Sequence, residues 1–169
     1  MKIIEALKEL KTNAKKIDDT IKRIQLNSAR KSYETSPYTD PSAQVKDWLN
    51  SVGGLVQRNG QLTLAIAKTN AATQVTIEIQ GKQVTKSITE WIFRRRVGVQ
   101  EETKAFLALT NRGLKDEQIK QTDGSVLESK VVLHYDQKMR DEILDALTME
   151  PTLIDTRLEI VNATTDLME

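Results

Sequence analysis

The residues best suited to chemistry in this sequence are three consecutive arginines, Arg94, Arg95 and Arg96, beside Trp91 and Phe93. A guanidinium is a planar fork of donors that fits phosphate or carboxylate, and an indole can stack on a base or on a guanidinium. Consecutive helix residues point about 100° apart, so one ligand would meet one or two of the three arginines. The competing use is salt bridging between helices. A second polar group, Thr69, Asn70 and Thr73, ends an apolar-periodic run, where it could cap a helix or line a pocket. Arg23, Asn27 and Arg30 make a third stripe at intervals of four and three. Brought together between protomers or hairpins, Arg94, Arg95 and Arg23 would hold a phosphate. Thr69, Asn70 and Thr73 would then supply hydrogen bonds, with Asn27 and Trp91 as further contacts.

Other chemistries find little support. The single histidine, His134, stands in the apolar run Val131, Val132, Leu133 and Tyr135, and one imidazole without a second nearby is a poor metal or acid–base group. The chain has no cysteine, which removes thiolate catalysis, disulfides and cysteine zinc sites and suits a reducing compartment. No nucleophile elbow, phosphate loop or dinucleotide glycine motif occurs. Asp18-Asp19 and Glu101-Glu102 read as ordinary helix-surface carboxylates. The expectation is therefore a protein that is not an enzyme and uses no cofactor and no metal.

The elements that must position these residues are helical. With 38% hydrophobic, 29% charged and only 4% aromatic residues, the 169-residue chain suits thin helix–helix seams better than a thick core. Ile3, Leu7, Leu10, Ala14, Ile17, Ile21 and Ile24 recur at four and three, predicting a helix over 2–32 with a heptad seam and a close approach at Ala14. Asp40 as N-cap and Pro41 at the first position begin a second helix to Thr73, with a seam through Val45, Trp48, Val52, Leu55, Asn59, Leu62, Ile66, Thr69 and Thr73. Asn59 on that seam reads as a register-fixing residue. Gly53, Gly54 and Gly60 mark a kink or a close contact.

From Val75 to Thr85 the period is two, a β-hairpin turning at Gly81. Ser87, Ile88, Thr89 and Glu90 start a third helix to about Asn111, whose seam Ile88, Ile92, Arg95, Val99, Glu102, Phe106 and Leu109 includes two charges that need partners. Asp123-Gly124 reads as a turn and Val126–Tyr135 as a strand that could extend the sheet. Helices follow at 137–148 and from Pro151, and 162–169 is a tail that frays or docks. The expected architecture is mainly α with a small β-hairpin or sheet: an antiparallel long-helix coiled-coil hairpin plus shorter helices, oligomeric. As domains, this is one elongated domain over 1–169, divided into a helical hairpin at 1–73, a hairpin, third helix and insertion at 74–135, and C-terminal helices at 136–169.

The net charge of +1 conceals a gradient. Residues 1–33 hold nine Lys/Arg against four Asp/Glu, and 136–169 hold three against nine. The acidic tail is expected to pack near the basic first helix or its copy, and a duplex nucleic-acid partner, which calls for a more basic chain, is not expected. Charges interrupt every apolar run, so no signal core or membrane span is expected and the chain reads as cytoplasmic.

Several segments together resemble a family of small bacterial helical proteins without an established function, sometimes labelled septicolysin. They are Arg23 and Asn27, Asp40-Pro41, IAKTNAAT from Ile66 to Thr73, SITEWIFRR from Ser87, and IDTRLEIVNATTDL from Ile154 to Leu167. The resemblance spans nearly the whole chain and is most specific at Thr69, Asn70 and Thr73 and at Asp155-Thr156-Arg157 through Thr165-Asp166-Leu167. This chain differs in having Trp91 where the family has a small residue, Ala163 where it has an aromatic, and a longer connection from Gly113 to Tyr135. The resemblance implies recurrent polar residues at seams and helix ends; proteins of this kind also occur in phage genomes, where small helical oligomers can act as virion parts or as inhibitors of host defence. The expected function is a non-catalytic homo-oligomer that captures a small anionic ligand such as a nucleotide signal. The alternative is a structural or assembly protein, such as a virion or scaffold component, that uses its helices for protein contacts.

Overall fold

In the computed structural model, which describes residues 1–168, the protein is mainly helical with two small antiparallel two-stranded sheets. In chain order the elements are α1 (Ile3–Asn27), α2 (Pro41–Ala72), β1 (Gln74–Ile79), β2 (Lys82–Ser87), α3 (Ile88–Phe93), a π-helical turn (Arg94–Gly98), α4 (Val99–Leu107), β3 (Glu117–Lys120), β4 (Val126–Ser129) and α5 (Gln137–Thr164). They form two compact units. The first comprises Met1–Gln74, Ser87–Thr89 and the chain from Leu158 on; the second comprises Val75–Lys86 and Glu90–Arg157.

The first unit is built on the α1–α2 hairpin. Asp40 caps α2 through its carboxylate, which accepts from the Ala43 amide at 3.0 Å, and Pro41 occupies the first turn, where its missing N–H costs nothing. The α2 seam follows the expected rows, with Leu62 and Thr69 buried and Val45, Trp48, Val52, Leu55, Asn59 and Ile66 half-buried. On α1 the seam is Ile3, Ala6, Leu10, Asn13, Ile17, Thr20, Ile24 and Asn27. The expected Leu7, Ala14 and Ile21 are instead exposed, one residue off the buried row. Two heptad rows share Ile3, Leu10, Ile17 and Ile24, and hydropathy alone favours the more apolar one. The structure selects the other because Asn13 meets Asn59 across the seam, its Nδ2 donating to Oδ1 at 2.9 Å. Arg58 also reaches Glu9, at 2.7 Å.

Other corrections are local. α1 ends at Asn27 rather than Ser32, where Asn27 Nδ2 turns back to the Arg23 carbonyl at 2.8 Å. α2 runs unbroken through Gly53, Gly54 and Gly60, and a Cβ at any of them would meet nothing within 4 Å, so none marks a close contact. The tail docks as far as it is described, Glu169 lying outside the described residues. The Ile3 amide donates to the Thr165 carbonyl at 3.1 Å, the Leu167 amide to the Met1 carbonyl at 2.8 Å, and Lys2 Nζ to Asp166 at 2.6 Å. The acidic tail thus lies against the start of basic α1 in the same chain.

In the second unit, Gln80 and Gly81 both take positive φ, 51° and 74°, the left-handed pair that a tight hairpin turn demands. Val75 and Ile77 of β1 are buried. The helical run that begins at Ile88 ends at Leu107, not Asn111, and its middle turn is π-helical. β4 stops at Ser129 and pairs with β3 in a separate sheet, Glu117 opposite Ser129 and Lys120 opposite Val126, so it does not extend the first sheet. His134 therefore lies in irregular chain and is exposed. The two expected C-terminal helices are one, α5, with Pro151 inside it. A mid-helix proline costs about 3 kcal/mol, and the apolar row Leu147, Ile154 and Leu158, buried on either side of it, outweighs that.

Candidate functional site

Arg94 is the centre of a hydrogen-bonded cluster with two carboxylates in the second unit. Its Nε donates to Glu150 Oε1 at 2.6 Å and its Nη2 to Glu150 Oε2 at 2.8 Å, and the other side of the fork holds Glu102 through Nη1 and, at 2.9 Å, Nη2. The π turn makes this possible. In a regular helix residues seven apart share a face; one extra residue in the turn brings Arg94 and Glu102, eight apart, onto it. Gly98 supplies the room, since a Cβ there would stand 3.2 Å from Arg94 Cδ.

The electrostatics follow from this geometry. Glu150 is almost fully buried and the bidentate Arg94 compensates its charge. Hydrogen bonds donated to Glu150, then to Glu102, raise Arg94 above its ordinary range, and Arg94 in turn holds the Glu102 carboxyl below its own. Arg95 pairs with Asp155 of α5 at 2.7 Å. Both arginines are thus already engaged by carboxylates, which is the salt-bridging use the sequence left open. Arg95 and Glu102, expected on the helix seam, are exposed, while Trp91 and Val99 are buried and Gly98 and Thr103 half-buried. Glu102 pairs with Arg94 of its own helical run, not with a neighbouring helix.

Trp91 is not available for stacking. It is 1% exposed, its Nε1 donates to the Val75 carbonyl at 2.9 Å, and Lys86 Nζ lies 5.9 Å from its ring centroid. It is a core residue that anchors α3 to β1.

Thr69, Asn70 and Thr73 lie together at the end of α2 in the first unit. Thr69 Oγ1 donates to the Ala65 carbonyl at 2.7 Å and accepts from the Met168 amide at 2.9 Å, while the Thr73 amide closes the helix on the Thr69 carbonyl. The Thr73 carbonyl accepts from the Ile88 amide. Asn70 Oδ1 is buried with no hydrogen-bond partner. Counting outward from the Asn13–Asn59 pair along antiparallel helices brings Thr69 level with Ile3. Arg23 is twenty residues farther along α1, on the order of 30 Å away. One copy of the chain therefore does not gather Arg23 and Asn27 with the Thr69 cluster. Arg23 is exposed, and no ion pair reaches it among the described residues.

Glu150 and Gly98 escaped the sequence reading, as did the role of Asp155 as the partner of Arg95. Glu150 left a signal, because it falls three residues after Leu147 and four before Ile154, on the apolar row of α5, where a carboxylate needs a cation. Among the described residues no three His, Asp or Glu side chains converge as a metal site would require, and no helix is long and apolar enough to cross a membrane. Comparison with protein-family models, curated proteins and solved structures finds no match to this chain.

Proposed function

We propose that the protein is a non-catalytic homo-oligomer, a structural or assembly component whose long helices serve contacts between copies. The observation that supports this reading is that α5 carries two apolar rows. Leu147, Ile154 and Val161 are buried, and Met139, Met149, Leu153 and Ile160 are exposed. α2 repeats the pattern with exposed Leu49, Val56 and Leu64. A helix apolar on more than one side belongs inside an assembly, and contiguous exposed apolar surface of this kind marks interaction sites. The native mass of the full chain at micromolar concentration tests the reading.

A second reading, capture of a small anionic ligand such as a nucleotide, is favoured by one observation, the unpartnered buried carbonyl of Asn70 beside Thr69 and Thr73. A ligand hydroxyl or amino group would satisfy that acceptor, and the free guanidinium of Arg23 from another copy would supply the cation. Kinship with the bacterial and phage family described above belongs to the same proposal. Millimolar nucleotides and cyclic dinucleotides should then raise the thermal midpoint, and the absence of any shift would count against ligand capture.

A further inference from the structure

The outer faces of α1 and α5 are complementary in both apolarity and charge. On α1, Leu7, Ala14 and Ile21 recur at seven-residue intervals just outside the seam with α2, Leu7 43% and Ile21 48% exposed. Lys8, Lys15 and Lys22 recur at the same interval beside them. All three are exposed, and none makes an ion pair among the described residues. On α5, Met139, Ala146, Leu153 and Ile160 also recur every seven residues, with Met149 beside them 61% exposed, Leu153 45% and Ile160 52%. Asp145 and Glu159 flank that row on one side, exposed and again without an ion pair among the described residues, and exposed Arg157 borders it on the other.

Resting on the self-assembly reading above, we infer that the α1 face of one copy docks on the α5 face of a second copy. The charges select this pairing. Two α1 faces would set lysine against lysine, and two α5 faces carboxylate against carboxylate, whereas α1 on α5 sets unlike charges beside two apolar rows of equal period. Lys8 and Lys22 are fourteen residues apart, as are Asp145 and Glu159. Fourteen residues rise about 21 Å along a helix, so the spacing of the two lysines matches that of the two carboxylates. The two patches differ, so the contact is heterologous.

Charge reversal in the full-length chain tests this. Lys8→Glu with Lys22→Glu, and separately Asp145→Lys with Glu159→Lys, should each raise the concentration for half-assembly at least about tenfold. Mixing the two variants should restore association, because every α1–α5 contact between unlike chains is again attractive, and this recovery also shows that both variants are folded. Ile21→Gln should weaken assembly without altering charge. Wild-type assembly by both charge variants, or no recovery on mixing, overturns the α1–α5 contact and leaves self-assembly standing. A wild-type chain that is monomeric throughout overturns both.

Discussion

Asn13 and Asn59 meet side chain to side chain, 2.9 Å apart, and this pair decides which of two overlapping heptad rows of α1 faces α2. Asn13 is buried, so its amide has no water to fall back on. Asn13→Ala leaves Asn59 short of a partner and should cost about 1–3 kcal/mol. Asn13→Leu with Asn59→Leu should recover much of that while loosening register, because Leu7, Ala14 and Ile21 can then compete for the seam. Chemical denaturation of the single and double variants gives the coupling, and amide exchange along α1 reports the register.

Arg94 should be the side chain on which the second unit depends most. Arg94→Met strands the buried Glu150 carboxylate, with an expected loss of about 3–5 kcal/mol. Arg94→Met combined with Glu150→Leu should come within about 1–2 kcal/mol of the parent, because the charge and its desolvation disappear together. Denaturation midpoints of the three proteins check this; equal losses in the single and double variants would contradict it.

Two glycine substitutions should move stability in opposite directions. Gly54→Ala adds a Cβ in open space within a helix and should stabilise by roughly 1 kcal/mol, a rise of about 2–4 °C in thermal midpoint. Gly98→Ala gains the same propensity but sets its Cβ 3.2 Å from Arg94 Cδ, on a side chain locked by two carboxylates. It should lower the midpoint. Scanning calorimetry of the pair separates propensity from crowding.

Acid should destabilise the fold below the ordinary carboxylate range. Arg94 holds Glu102 below its ordinary 4.5, Arg58 does the same for Glu9, and Lys2 holds Asp166 below 3.8. A folded value lower than the unfolded one gives stability that is complete above the unfolded value and is lost as pH falls through the folded one. The thermal midpoint should therefore be flat from neutrality to about pH 5 and fall below that. Arg94→Met should shrink the acid-induced drop.

Much of the fold is legible in the sequence because local signals agree with tertiary packing. Asp40-Pro41 marks the start of α2, the alternation from Val75 marks the hairpin, and the α2 rows fall where they are expected. The α1 face was not legible: Leu7 and Ala14 look better than Ala6 and Asn13 until Asn59 is placed opposite. The π turn was not legible either, because it arises from one residue too many between Arg94 and Glu102 and becomes visible only when Arg94 is seen to hold both Glu102 and Glu150. The partners of the arginines were not legible because Glu150 and Asp155, which engage Arg94 and Arg95, lie 56 and 60 residues farther along the chain.

The most direct measurement is the native mass of the full chain by light scattering or native mass spectrometry between about 1 and 100 µM, a range typical of specific self-association. The expected result is a concentration-dependent mass at a whole multiple of 19.1 kDa, with Leu153→Gln shifting the distribution toward one copy. A single species of 19.1 kDa across that range, unchanged by Leu153→Gln, would contradict it.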